Sequence, residues 1–174
     1  MFSYIGGKFR ISKWIIPFIP TDIETYSETF SGAFWVYMKM DLSLYKNLKT
    51  VIYNDVNDLN ANLFLCAKQY SEFLSFIEEY PTRDQELFDK FQKEAFESNF
   101  KFNPNKADFE KGLAYIYTVT HSFSGADPAR ASMVKRDKAD KFQAFKNKMS
   151  NPKFKEHLDR ITHVRSQDFS EIID

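Results

Sequence analysis

The sequence contains a single cysteine, Cys66, which excludes a disulfide framework within the chain and a cysteine-rich zinc cluster. No apolar run approaches the roughly 20 residues that a membrane-spanning helix needs, and no signal-peptide pattern is present. A reducing cytoplasm is the expected setting. Lys and Arg total 24 and Asp and Glu total 24, so overall charge gives no argument for a polyanionic partner. Only five Gly and six Pro leave little sequence for long loops. The three histidines, His121, His157 and His163, have no ligand spacing with nearby acids or with the cysteine, so no metal is expected.

What the chain does contain is apolar and aromatic. Hydrophobic residues make up 43% of its 174 positions, with 19 Phe and 9 Tyr, enough for a ring-packed, helix-rich core. The length suits one domain, or one domain carrying an insertion. Charge is neutral overall but not locally. Residues 135–155 hold Lys135, Arg136, Lys138, Lys141, Lys146, Lys148, Lys153 and Lys155 against only Asp137 and Asp140.

Hydrophobic spacing divides the chain into three stretches. Ile11, Trp14, Ile15 and Phe18 fall on one face of a helix that Pro17 and Pro20 limit. Thr25 to Phe30 reads as a strand, Gly32 as a turn, and Ala33 to Met40 as a helix. Lys49 to Tyr53 reads as a second strand ended by Asn54-Asp55, and a long amphipathic helix is expected from Leu59 to Pro81. This alternation predicts a parallel sheet with crossover helices over 1–80. From 81 to 155 the spacing is helical throughout, as in Phe109, Leu113, Ile116, Tyr117 and Thr120, which predicts a helical insertion. Residues 156–174 return to α/β character, with a strand at Thr162 to Val164 and the start of a helix at Asp168.

Ligands of open parallel sheets sit beyond the carboxyl ends of the strands. Ser31-Gly32-Ala33 follows the first strand, where Gly32 lets backbone approach a polar ligand. Asp55 ends the second strand, a position from which a carboxylate accepts ribose hydroxyls; its other reading is a helix cap. Asp168-Phe169 follows the return strand and offers an acceptor for an exocyclic amine beside a ring, or else an N-cap for the last helix. Together these positions describe an adenosine-shaped site.

The same segments carry a resemblance. Tyr4-Ile5-Gly6-Gly7-Lys8, Glu28-Thr29-Phe30-Ser31-Gly32-Ala33, Tyr53-Asn54-Asp55-Val56-Asn57 and Gln167-Asp168-Phe169, in this order, resemble the amino-terminal part of Dam-like adenine-specific (N6) DNA methyltransferases. The resemblance implies a partial Rossmann-like, S-adenosylmethionine-dependent methyltransferase sheet with a helical target-recognition insertion. It implies cofactor contacts from Tyr4, Gly7, Lys8, Glu28, Phe30, Ser31, Gly32, Ala33, Asp55, Val56, Asp168 and Phe169. Thr29 stands where the family usually has Pro. Phe34-Trp35 replaces small or polar residues, so these rings either narrow the methionine end of the pocket or form the buried face of a helix.

The family's Asp-Pro-Pro-Tyr tetrapeptide, which holds and stacks the flipped adenine, occurs nowhere in the 174 residues. Asp127-Pro128-Ala129-Arg130 and Asn151-Pro152-Lys153-Phe154 lack its Pro-Pro core and precede the last strand. The expectation is therefore an amino-terminal portion or truncated form that binds cofactor and double-stranded DNA but is inactive alone. The alternative is a non-catalytic cofactor- or DNA-binding regulatory module derived from the family. DNA contact is expected from Ser122, Ser124, Arg130, Lys135, Arg136 and Lys138, although a lysine-rich helix face is also what solvent requires. An open sheet edge further predicts a protein partner, either a carboxy-terminal methyltransferase fragment or a second copy of the chain.

Overall fold

The computed structural model describes residues 7–122, 127–134 and 140–172. Its centre is a parallel sheet in the order β1 (Thr25–Glu28), β2 (Thr50–Asn54), β3 (His163–Arg165). Tyr26 lies opposite Val51, Glu28 opposite Tyr53, and Tyr53 opposite Val164, so these five share one sheet face. Val51, Tyr53 and Val164 are buried on that face beneath the helices. Thr25, Ser27 and His163, on the other face, are exposed. Among the described residues β1 pairs only with β2, so its outer edge is open.

Seven α-helices accompany the sheet among the described residues: α1 (Ser12–Ile15), α2 (Asp58–Lys68), α3 (Tyr70–Glu78), α4 (Gln85–Phe96), α5 (Phe109–His121), α6 (Lys141–Met149) and α7 (Pro152–Asp159). Five have a side-chain N-cap that accepts orphan amides: Asn57, Asp84, Asp108, Asp140 and Asn151. No helix is long and apolar enough to cross a membrane among the described residues. The helices of 81–155 share one continuous core with the α/β part.

Several boundaries differ from the sequence expectations. Ala33 to Met40 forms no α-helix; only Tyr37–Lys39 makes a 3-10 turn. The residues there, Phe34, Trp35, Val36 and Tyr37, are weak helix formers, and Phe34 has φ 54°. The expected single helix from Leu59 to Pro81 is two, broken at Gln69, whose ψ is 58°. The apolar stripe expected here faces outward: Trp14 of α1 is 67% exposed, and Phe18, in the 3-10 turn Ile16–Phe18 that follows, is 86% exposed. The terminal helix expected from Asp168 is a 3-10 turn over Phe169–Glu171.

The core is filled by rings. Tyr53 stacks on Phe64 with centroids 4.1 Å apart, and Phe34 meets Tyr37 at 4.7 Å. Farther along, Tyr117 contacts Phe91 at 5.3 Å and Phe142 at 4.9 Å. The α2–α5 contact depends on Gly112 facing Cys66. A Cβ at position 112 would lie 2.8 Å from the Cys66 sulfur. Burial pushes the Cys66 thiol pKa up, so it behaves as a packed apolar group rather than a nucleophile.

Gly112→Ala is accordingly expected to destabilise the protein by about 1–3 kcal/mol in urea denaturation. Adding Cys66→Ala should return part of that loss. Equal stability of the Gly112→Ala variant and the parent would contradict close helix packing at this point.

Candidate cofactor site

The three strands end side by side, and one side chain ties their loops together. Asn54, the last residue of β2, is fully buried. Its Nδ2 donates to Thr29 O and to Gln167 O, both at 3.0 Å. Its Oδ1 accepts from Gln167 N at 3.0 Å. Its backbone amide donates to Ser31 Oγ at 3.1 Å, and its carbonyl accepts from Ser31 N at 2.9 Å. The loops after β1 and β3 are thereby clamped to the end of β2.

Asp55 fixes the turn itself. Gly32 N donates to Asp55 Oδ2 at 2.7 Å, and Asn57 N donates to Oδ1 at 2.9 Å. The α2 cap is Asn57, whose Oδ1 accepts from Leu59 N and Asn60 N. The capping role considered for Asp55 therefore belongs to its neighbour. Gly32 has φ 50°, a conformation that favours glycine, and its carbonyl accepts from Tyr53 OH at 2.9 Å. The Gly32 amide is thus committed to Asp55, while each Asp55 oxygen keeps a further acceptor lone pair.

The remaining candidates surround this frame. Lys8 Nζ donates to Phe30 O at 3.0 Å and lies 3.6 Å from Glu28 Oε2. Glu28 Oε1 accepts from Tyr26 OH at 2.9 Å and Tyr37 N at 3.3 Å. Glu28 Oε2 is buried without a hydrogen-bond partner. Burial pushes the Glu28 carboxyl above its ordinary pKa, against the opposing pull of Tyr26 and Lys8. Phe30 and Phe169 stand exposed with centroids 5.5 Å apart, and Val56 is 67% exposed at the same strand ends. Asp168 caps the last 3-10 turn, its Oδ1 accepting from Ser170 N at 3.0 Å and Ser170 Oγ at 2.6 Å. Those bonds hold its carboxyl below the usual pKa range.

The bulky pair after Gly-Ala has two destinations. Phe34 is fully buried in the ring core against Tyr37, Tyr53 and Phe64. Trp35 is half-buried and meets Phe9 edge-on at 4.8 Å. Gly7 is exposed at the start of the described chain, and Ser31 and Ala33 are buried in the turn. Tyr4, Ser124, Lys135, Arg136 and Lys138 lie outside the described residues. Arg130 is exposed, but Ser122 is fully buried with its hydroxyl donating to Thr118 O at 2.7 Å. Among the described residues no group of three or more His, Cys, Asp or Glu could hold a metal ion.

The segments that form these loops all lie within a match to a known protein family. The family model for the D12 class of N6 adenine-specific DNA methyltransferases matches residues 4–172. The chain belongs to this family. It is similar to Modification methylase StsI of Streptococcus sanguinis, 23% identical over 128 residues that cover 71% of this chain and 18% of that protein. It is also similar to Type II methyltransferase M2.HphI of Haemophilus parahaemolyticus, 24% identical over 178 residues covering 97% of this chain and 46% of that protein. The chain thus spans less than half the length of either relative.

Two outcomes follow from the geometry. Asn54→Ala leaves two carbonyls and one amide of the flanking loops without their partner and should cost about 2–4 kcal/mol in urea denaturation; a loss of only a few tenths would contradict the clamp. Glu28 has a raised folded-state pKa, so the folded state holds its proton more tightly than the unfolded state. Its contribution to stability therefore falls as pH rises from the ordinary carboxylate range through the raised value. Glu28→Gln should flatten the stability–pH profile over that window, and an unchanged profile would contradict it.

Proposed function

We propose that this chain is the S-adenosylmethionine-binding portion of an adenine-N6 DNA methyltransferase from a restriction-modification system, acting in the cytoplasm. The observation that carries the reading is the clamped triple loop at the carboxyl ends of β1, β2 and β3. The residues present fit the cofactor. Buried Glu28 Oε2, lacking a hydrogen-bond partner, suits an ammonium group, and Lys8 beside it suits a carboxylate. Asp55 retains acceptor capacity for ribose hydroxyls. Phe30, Val56 and Phe169 offer exposed apolar surface for a purine, with Asp168 next to Phe169 as an acceptor for its amine.

The cofactor, when bound, supplies an electrophilic methyl group to the adenine amine. The chain's own residues bind and orient. Asn54 fixes the distances between the loops, Gly32 shapes the turn, and Asp55 sets its register against β2. The base-holding Asp-Pro-Pro-Tyr tetrapeptide is not found in the 174 residues. On this reading these 174 residues alone do not transfer methyl groups, and a segment carrying that motif completes the enzyme. Among the described residues the outer edge of β1 is open, which gives such a segment a strand to pair with. DNA contact by the 81–155 region, including Arg130 and the basic stretch, belongs to the same proposal.

Calorimetric titration with S-adenosylmethionine tests this reading. One saturable site is expected, and Phe30→Ala or Phe169→Ala should weaken it about tenfold through lost stacking. The two rings are exposed, so the melting temperature should change little. Absence of binding by the folded chain would overturn the cofactor assignment. Adenine methylation of duplex DNA by these 174 residues alone would overturn the need for a motif-bearing segment.

A further inference from the structure

A cavity outside the cofactor site gathers cations from distant parts of the chain. Its volume is about 350 Å³, and Lys39, Lys148, Lys153, Asn151 and His157 line it above an apolar floor that includes Phe154. Among the described residues lining it there is no carboxylate. Lys39 follows the cofactor loop, whereas Lys148 and Lys153 flank the α6–α7 turn. The fold thus adds a cation from the sheet side to two from the basic stretch at 135–155.

Two of these cations are held in place by side-chain contacts. Lys39 Nζ donates to Phe9 O at 2.9 Å and sits 3.6 Å from the Phe9 ring centroid. Lys148 Nζ lies 5.1 Å from the Trp35 ring centroid, and Phe9 and Trp35 pack edge-on at 4.8 Å. One aromatic pair therefore positions two ammonium groups. Asn151 caps the first turn of α7 through a 2.9 Å bond from Lys153 N, adding the positive end of that helix. His157 serves as a wall, its ring nitrogens 2.9 Å from Lys153 O and 3.0 Å from Met40 O. Asp41 is near enough to feel Lys153 and His157, but its Oδ1 is engaged by Ser43 N at 3.1 Å and Ser43 Oγ at 2.7 Å.

We propose that this cavity seats a backbone phosphate of duplex DNA. Three converging cations and a helix start suit a phosphodiester, and the apolar floor suits the adjoining sugar. The seat rests on the reading of the chain as part of a DNA methyltransferase. It places a phosphate contact at Lys39, Lys148 and Lys153 and gives the basic stretch a defined point of engagement.

The test is fluorescence anisotropy of a labelled duplex with the full chain over a range of salt. The variants are Lys39→Gln/Lys148→Gln/Lys153→Gln together and the single exposed Lys153→Glu. Both should bind about tenfold more weakly at low salt, and the triple variant's salt slope should fall by about 1. Melting temperature and S-adenosylmethionine binding should be unchanged. Duplex affinity unaltered in both variants overturns the phosphate seat and leaves the functional reading standing. A parent chain that binds no duplex at low salt overturns the seat together with the DNA contact proposed for 81–155. Inorganic phosphate, titrated separately, distinguishes the source of the anion. Saturable phosphate binding lost in the triple variant, with duplex binding unchanged, assigns the cavity to a free anion and overturns the DNA seat.

Discussion

Everything at the candidate site depends on the buried amide of Asn54. A parallel sheet of three short strands holds strand directions but does not fix the loops beyond their carboxyl ends. Those loops have polar backbone that must find partners once it leaves the ladder. Asn54 offers two donors and an acceptor at the point where all three loops meet, and it uses them on Thr29 and Gln167. Ser31 closes the other side by exchanging bonds with the Asn54 backbone. The candidate edge is thus built before any ligand arrives, which lowers the ordering cost of binding one there.

The helical part supports that edge from below. Tyr53 carries Asn54 on the adjacent backbone unit, and its ring stacks on Phe64 of α2 while its hydroxyl holds Gly32 O. Phe34 leaves the turn and enters the same ring cluster, so the left-handed backbone at Phe34 is offset by burial. α5 then packs on α2 at the Gly112–Cys66 contact. Loop geometry, ring core and helix packing form one connected system. Loosening the α2–α5 contact therefore bears on the sheet's ligand edge.

Much of this was legible in the sequence. The three strands and their parallel arrangement were readable from the β-α alternation, and the family from the resemblance of the Gly-Ala, Asn-Asp and Gln-Asp motifs in their order. The helices of 81–155 were readable from their apolar spacing. The break at Gln69 and the loss of helix after Ala33 were not, because each follows from tertiary packing that overrides local pattern. Asn54 was visible only as the end of a strand. Nothing in its neighbours shows that its amide would face Thr29 and Gln167, the latter 113 positions away. The exposure of Trp14 and Phe18 was equally hidden, since an apolar stripe at helical spacing does not say whether anything covers it.

The central claim is that three separate segments form one preassembled cofactor edge. Hydrogen exchange of the purified chain with and without S-adenosylmethionine tests it most directly. Added cofactor should slow exchange together in the loops after β1, β2 and β3, around Gly32, Val56 and Phe169, with α4 and α5 unchanged. Protection confined to one loop, or spread over the helices while these three loops stay unchanged, would contradict the account.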